Sequence, residues 1–261
     1  MDLEVSGNAA LVTASSSGLG KGSARALARE GANVVICGRD EERLDEAAAE
    51  LDALGDGRVH GIQADLTRKS DVEALVEATV EEFGGLDHLI TSAGGPPSGS
   101  FLDMDDDDWY ESYDQLVMSL VWALRAAHPH LVESDAGSVV TVTSTSVREV
   151  IDGLVLSNAV RRTVIGIVKT LSREWGPDVR VNAVLPGAHE TSRIEELVEQ
   201  AVERGEYDSY EDGVADWGVG LPMETIGDPN AFGDAVAFLA SPRAAFITGV
   251  SLPIDGGRMR S

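Results

Sequence analysis

What this 261-residue chain lacks narrows it first. A single cysteine, Cys37, rules out an intramolecular disulfide. It lies in the apolar run Val34-Val35-Ile36-Cys37, the setting of a buried strand thiol rather than a reactive one. No run of about 18 apolar residues occurs, so a membrane span is not expected. The N-terminus, Met1-Asp2-Leu3-Glu4, has neither the basic nor the apolar region of a signal peptide, and the expected location is cytoplasmic. Lysine is nearly missing, at Lys21, Lys69 and Lys169 alone. Acidic residues number 45 against 20 basic ones, a formal net charge of −25. Such a surface repels nucleic acid and anionic membranes, and neither is expected as a partner. The acids are spread along the chain, in Glu41-Glu42, Glu81-Glu82, Asp105 to Asp108 and Glu195-Glu196. That distribution favours general solvation in a high-salt cytoplasm, as in a halophile, over one docking face for a basic partner.

What is present is a regular alternation. Strand-like runs are expected at Ala9 to Thr13, Asn33 to Cys37, Val59 to Gln63, Leu86 to Thr91, Ser138 to Thr143, Val179 to Leu185 and Val250 to Ile254. Helical stretches fall between them, among them Gly20 to Glu30, Glu41 to Leu54, Asp71 to Phe83 and Leu156 to Trp175. Strand and helix in turn imply an α/β fold: a doubly wound, Rossmann-type parallel sheet of about seven strands in a three-layer α/β/α sandwich. No linker divides the chain, so residues 1–261 are expected to form one dinucleotide-binding domain. The segment 189–228 breaks the alternation and follows the sixth strand, where ligands of such sheets bind. It is expected to be a substrate lid, with Trp217, Leu221 and Met223 as its covering residues.

Directly after the first strand stands Thr13-Ala14-Ser15-Ser16-Ser17-Gly18-Leu19-Gly20, and a helix begins there. Small residues let backbone approach a pyrophosphate, whose charge is favoured at a helix N-terminus. This stretch resembles the Thr-Gly-x-x-x-Gly-x-Gly motif of the short-chain dehydrogenase/reductase family. The resemblance continues at Asp65-Leu66, Ser92-Ala93-Gly94, Pro186-Gly187 with Thr191, Ile247-Thr248-Gly249 and Asp255-Gly256-Gly257, in order along nearly the whole chain. By that resemblance the cofactor cradle comprises Thr13, Ser15, Ser17, Gly18, Leu19, Gly20, Asp65, Leu66, Ala93, Gly94, Arg161, Pro186, Gly187 and Thr191. Ala14 departs from the pattern, standing where the family carries its first glycine, and narrows the turn's options.

The second strand ends in Cys37-Gly38-Arg39-Asp40. Gly38 occupies the place of the acid that holds an NAD ribose, and Arg39 follows with a guanidinium able to grip a phosphate. NADP(H) is therefore expected over NAD(H). A loop arginine paired with Asp40 or Glu42 is the alternative for Arg39.

The family's chemistry rests on a serine after the fifth strand and on Tyr-x-x-x-Lys in the next helix, with an asparagine in the helix before. The resemblance puts Ser144 at the serine position, Ser157 and Arg161 at those of tyrosine and lysine, and Leu116 at that of asparagine. No tyrosine occurs between Tyr113 and Tyr207. Ser157 is a far weaker acid than a phenol, and Arg161 does not release its proton at usable pH. Arg161 can still act as a fixed charge towards a ribose, an anionic substrate or a developing alkoxide. Replacement groups are His189, Tyr207, Tyr210 and Arg148; His128 and His130 read as surface residues. No residue is assigned to a metal.

The expected function is that of a short-chain dehydrogenase/reductase with a non-classical site, acting on a small alcohol, ketone or 3-oxoacyl group. A catalytically inactive dinucleotide sensor or scaffold is the alternative, and dehydration or isomerisation stays open. The resemblance also implies a homo-oligomer, tetramer or dimer, through the helices spanning Asp106 to Leu131 and Leu156 to Trp175.

Overall fold

The runs become seven strands because each is short, closed by a turn and, in most of them, rich in β-branched residues. The computed structural model describes residues 1–260, without the side chains of residues 192, 193, 196, 197 and 200. The strands are β1 (Ala9–Val12), β2 (Asn33–Gly38), β3 (Val59–Gln63), β4 (His88–Thr91), β5 (Ser138–Val142), β6 (Arg180–Pro186) and β7 (Ser251–Ile254). They form one sheet in the order β3-β2-β1-β4-β5-β6-β7, every pair parallel. The order reverses between β1 and β4, and their carboxyl ends part there to leave a crevice.

Successive strand residues face opposite layers. Ala10, Val12, Val34 and Ile36 pack under α1 (Gly18–Arg29), α2 (Glu41–Asp52) and α9 (Pro229–Ala240). Leu11, Val35, Cys37 and Leu89 pack against α3 (Lys69–Phe83), α5 (Ser119–Glu133) and α6 (Val155–Glu174) on the other face. Both faces of the inner strands are covered, which is why those strands read as continuous apolar runs, whereas the edge strand β3, Val59–Gln63, is largely exposed. Burial raises the Cys37 thiol to about 11, leaving it inert, as its sequence setting implies.

Two regions depart from plain alternation. The helix expected from Asp106 to Leu131 is α4 (Asp106–Tyr113) and α5 joined by a π-helical segment, Asp114–Met118, which carries Leu116. The segment after β6 contains α7 (Ser192–Glu203) and α8 (Tyr210–Gly218). Ile194, Val198 and Ile226 give it a small core of its own.

Candidate active site and dinucleotide cradle

The turn after β1 is held by its own hydroxyls. Thr13 Oγ1 donates to Ser92 O at 2.6 Å and accepts from Ser92 N at 2.9 Å, tying the ends of β1 and β4 together. Ser15 is fully buried; its Oγ donates to Val12 O at 2.5 Å and accepts from Cys37 N at 3.1 Å. Ser15, expected to touch a cofactor, thus shapes the turn from within, because both roles of its hydroxyl are taken. Ser17 caps α1 in extended conformation and its hydroxyl makes no capping bond. A Cβ on Gly20 would sit 2.2 Å from Ala14 O, so only glycine closes the turn against the helix. Ala14 itself adopts φ +47, the left-handed region where a methyl group is strained. Alanine does not restrict this turn to other shapes; the turn imposes its shape on the alanine.

Ser16, Ser17 and Gly18 border an open cleft of about 660 Å³, with Thr191 opposite and Lys21, Arg25 and Arg43 on its flank. In a chain of net charge −25 these three cations are matched by Glu50, Glu190 and Glu195 on the same cleft, and Lys21 pairs with Glu50 at 2.6 Å, so the cleft is locally balanced rather than acidic. At Gly38 a Cβ would meet Ser16 Oγ at 2.7 Å, so Ser16 already fills the space an acidic side chain would need. Arg39 is exposed, and its field helps hold the Asp65 carboxyl below the usual carboxylate range. The larger cause is Thr67, whose hydroxyl and backbone N–H both donate to Asp65. Leu66, Ala93 and Thr13 line a smaller cavity deeper in the crevice. Pro186 ends β6, and Gly187 N bonds Ile254 O at 2.9 Å.

Beside the crevice, β5 and α6 bring the candidate catalytic residues together. Ser144 accepts a bond from Ser146 N at 3.1 Å, which leaves its own proton free to donate. Ser146 is fully buried, and its Oγ lies 3.0 Å from Ser157 Oγ. Arg161, one helical turn past Ser157, donates from Nη1 to Thr143 O at 3.2 Å and from Nη2 to Gly94 O. It bridges the ends of β4 and β5. Burial pushes its guanidinium down to about 10, still protonated at neutral pH. Ser146 and Gln115, whose Nε2 donates to Ala93 O at 2.6 Å, were not legible as site residues. Each is a polar neighbour of a position the resemblance marks, and nothing in the sequence separates it from a surface residue.

The replacement proton donors are engaged by other protein groups. His189 is buried, donates from Nδ1 to Gly187 O at 3.1 Å and stacks edge-on against Phe232 at 5.2 Å. Burial lowers its pKa, and its Nε2 side abuts Gly227, so it staples the base of the 189–228 segment. Tyr207 donates to Asp216 at 2.8 Å and Tyr210 to Glu190 at 3.2 Å. Burial, helped by Glu190, raises Tyr210 to about 12. Arg148 donates to Ser251 O at 3.0 Å, on β7 rather than into the crevice. Trp217 and Met223 are exposed. His128 stacks on Trp175 at 4.5 Å.

The sequence profile of the family described as enoyl-(acyl carrier protein) reductase matches residues 13–258. The chain is a short-chain dehydrogenase/reductase. Oxidoreductase UcpA of Salmonella typhimurium is 30% identical to it over 256 residues, 97% of this chain and 95% of that one. L-sorbose reductase from Gluconobacter frateurii, solved with NADPH and L-sorbose, superposes with a TM-score of 0.95 at 27% identity, covering 100% of both chains. A short-chain oxidoreductase of Pseudomonas aeruginosa, described as containing an atypical catalytic center, superposes with a TM-score of 0.90 at 28% identity and covers 98% of this chain and 99% of its own. That enzyme has also been solved with NADPH bound. The seven-stranded fold and the oxidoreductase family are thereby shown for this short-chain dehydrogenase/reductase. Among the described residues, no helix is long and apolar enough to cross a membrane.

Proposed function

We propose that the protein is an NADP(H)-dependent oxidoreductase of a small alcohol, ketone or 3-oxoacyl substrate whose site works without a phenol or a lysine. The observation that carries this is the cluster of Ser144, Ser146, Ser157 and Arg161 at the open end of β5, beside the dinucleotide turn. The residues fit a dinucleotide: glycine at position 20 lets the turn pack against the helix where a Cβ would clash with Ala14 O, Ser17 makes no capping bond with its hydroxyl, and Arg25 and Arg43 stand on the cleft. Ser17, Gly18, Gly20 and Thr191 would hold the pyrophosphate, with Asp65, Leu66, Ala93, Gly94, Pro186 and Gly187 along the rest of the cofactor. When bound, the nicotinamide supplies or takes the hydride. Ser144 Oγ, oriented by the bond it accepts from Ser146 N, donates its own proton to the substrate oxygen. Arg161 stays charged and steadies negative charge developing on that oxygen. Ser157 orients Ser146 rather than acting as an acid, and protons come from water.

Gly38 in the acid's place, with Ser16 against it, Arg39 next in sequence and Arg43 on the cleft, supports NADP(H) over NAD(H). The L-sorbose reductase and Pseudomonas structures with NADPH bound agree with that choice. The 189–228 segment serves as the substrate lid. The apolar faces of α5 and α6 make the chain a homo-oligomer, dimer or tetramer, and its acidity suits a salt-rich cytoplasm. One observation favours the sensor reading instead: Ser157 and the Arg161 guanidinium point to protein partners. Titration of NADPH and NADH, followed by a carbonyl panel in molar salt, separates the two. Tighter NADPH binding, by about tenfold or ~1.4 kcal/mol, with turnover supports the enzyme. Binding with no turnover supports the sensor, and a tenfold preference for NADH overturns the cofactor assignment.

A further inference from the structure

Between Ser144 and α6 runs a loop that packing does not hold. None of residues 148–154 is buried, and Val150 is 70% exposed. Backbone of that kind keeps its place through hydrogen bonds or not at all. Arg148 donates to Ser251 O at 3.0 Å and Glu149 accepts from Arg260 N at 3.1 Å, both at the surface. Where the loop turns into the helix, Gly99 N donates to Gly153 O at 2.6 Å.

A more sheltered tie comes from Asn158. Its Oδ1 accepts from Ile151 N at 3.1 Å, and its Nδ2 donates to Ile151 O at 2.8 Å. One carboxamide thus takes both polar groups of one backbone residue, as a neighbouring strand would. Only one orientation of the amide satisfies the two bonds. Asparagine is unfavourable inside a helix because its amide competes for backbone groups, and here that competition is put to use. Its neighbour on α6, Ser157, holds the near end of the same loop, with Ser146 Oγ 3.0 Å from its own Oγ. Chain and side chains close a ring: Ser146 to Ile151, Ile151 to Asn158, Ser157 back to Ser146. Ser146 in turn gives its N–H to Ser144 Oγ at 3.1 Å.

We propose that Asn158 is a positioning residue for the reaction: by bracketing Ile151 it fixes Ser146 and, through it, the direction in which Ser144 donates. That role rests on Ser144 being the donor to the substrate oxygen, as proposed above. Asn158 acts through the loop and needs no contact with substrate or cofactor. The dinucleotide turn after β1 lies outside the ring, so cofactor binding does not depend on it.

Two variants of the full chain separate hydrogen bonding from shape. Asn158→Leu removes both bonds, whereas Asn158→Asp keeps the shape but, as a carboxylate, cannot donate to Ile151 O. Amide hydrogen exchange read by NMR should be faster by about tenfold at Ile151 and Ser146 in each variant. The Ala183 N–H of β6, bonded to Val250 O, should keep its rate. With NADPH and a carbonyl substrate, each variant should lose about tenfold in kcat, with KM and NADPH affinity unchanged. Added to Ser144→Ala, either substitution should cost nothing further, because its effect passes through Ser144. Unchanged Ser146 exchange in either folded variant overturns the role, as does an unchanged kcat or a loss that persists beside Ser144→Ala. A wild type without turnover, or one indifferent to Ser144→Ala, defeats the reading of the reaction instead, and the exchange comparison then decides by itself whether Asn158 holds Ser146.

Discussion

At the scale of single residues, this molecule shows how burial fixes chemistry that composition alone leaves open. His88, on β4, is fully buried between Asn8 and Ser138. Ser138 Oγ donates to Ala240 O at 2.9 Å, so it accepts from His88 Nδ1–H, and Nε2 accepts from Asn8 Nδ2. Neutral imidazole satisfies every partner; a second proton would face the Asn8 amide. Desolvation, only partly offset by Asp87, lowers its pKa from 6.5 to about 4. The folded value lies below the unfolded one, so the unfolded state binds the proton first. The stabilisation is complete above pH 6.5 and is lost as pH falls towards 4. His88→Gln should remove about one proton from the pH dependence of the urea midpoint over that interval. Equal slopes in both proteins would contradict the assignment. The same scale explains what the sequence hid: Ala14 shows no sign in sequence of its positive φ, and Ser15 looks identical to Ser16 and Ser17 until its hydroxyl is seen turned inward.

At the scale of elements, the cradle depends on how closely α1 and α9 approach. A Cβ on Gly233 would lie 2.0 Å from Gly22 O, and one on Gly22 would lie 2.1 Å from Pro229 O. The two backbones are in contact, and α1 begins at the dinucleotide turn. Gly233→Ala should therefore destabilise the protein by about 1–3 kcal/mol through overpacking. It should also weaken NADPH binding, because α1 must shift with its N-terminus. Unchanged stability, read from the urea midpoint, would mean that the helices are not so tightly seated. The strands were legible to within a residue or two, since buried parallel strands announce themselves as short apolar runs. The 189–228 segment was legible only as an interruption. The partners of His189, Tyr207 and Tyr210 were not legible, because polar side chains there bond to neighbours within the segment and to the residue after β6, which no local pattern reveals.

At the scale of the whole molecule, family and fold were readable because motifs recur in order at strand ends, and a sheet of this topology gathers strand ends into one crevice. The candidate cluster was readable only by resemblance, and its wiring was not readable at all: that Arg161 grips Thr143 and Gly94 and that Ser146 pairs with Ser157 depends on tertiary contact. Charge acts at the same scale. With −25 spread over the surface, the melting temperature should rise as the Debye length shrinks from about 10 Å at 0.1 M salt to about 3 Å at 1 M. A melting temperature that is flat or falls over that range would remove the case for salt adaptation. The central claim is that a serine and a fixed guanidinium replace the usual proton donor. It is tested most directly by following NADPH oxidation with a carbonyl substrate in wild type and Ser144→Ala. The account predicts turnover in the wild type and a loss of on the order of 100-fold in the variant, with cofactor binding unchanged. Equal turnover in the two proteins would contradict it.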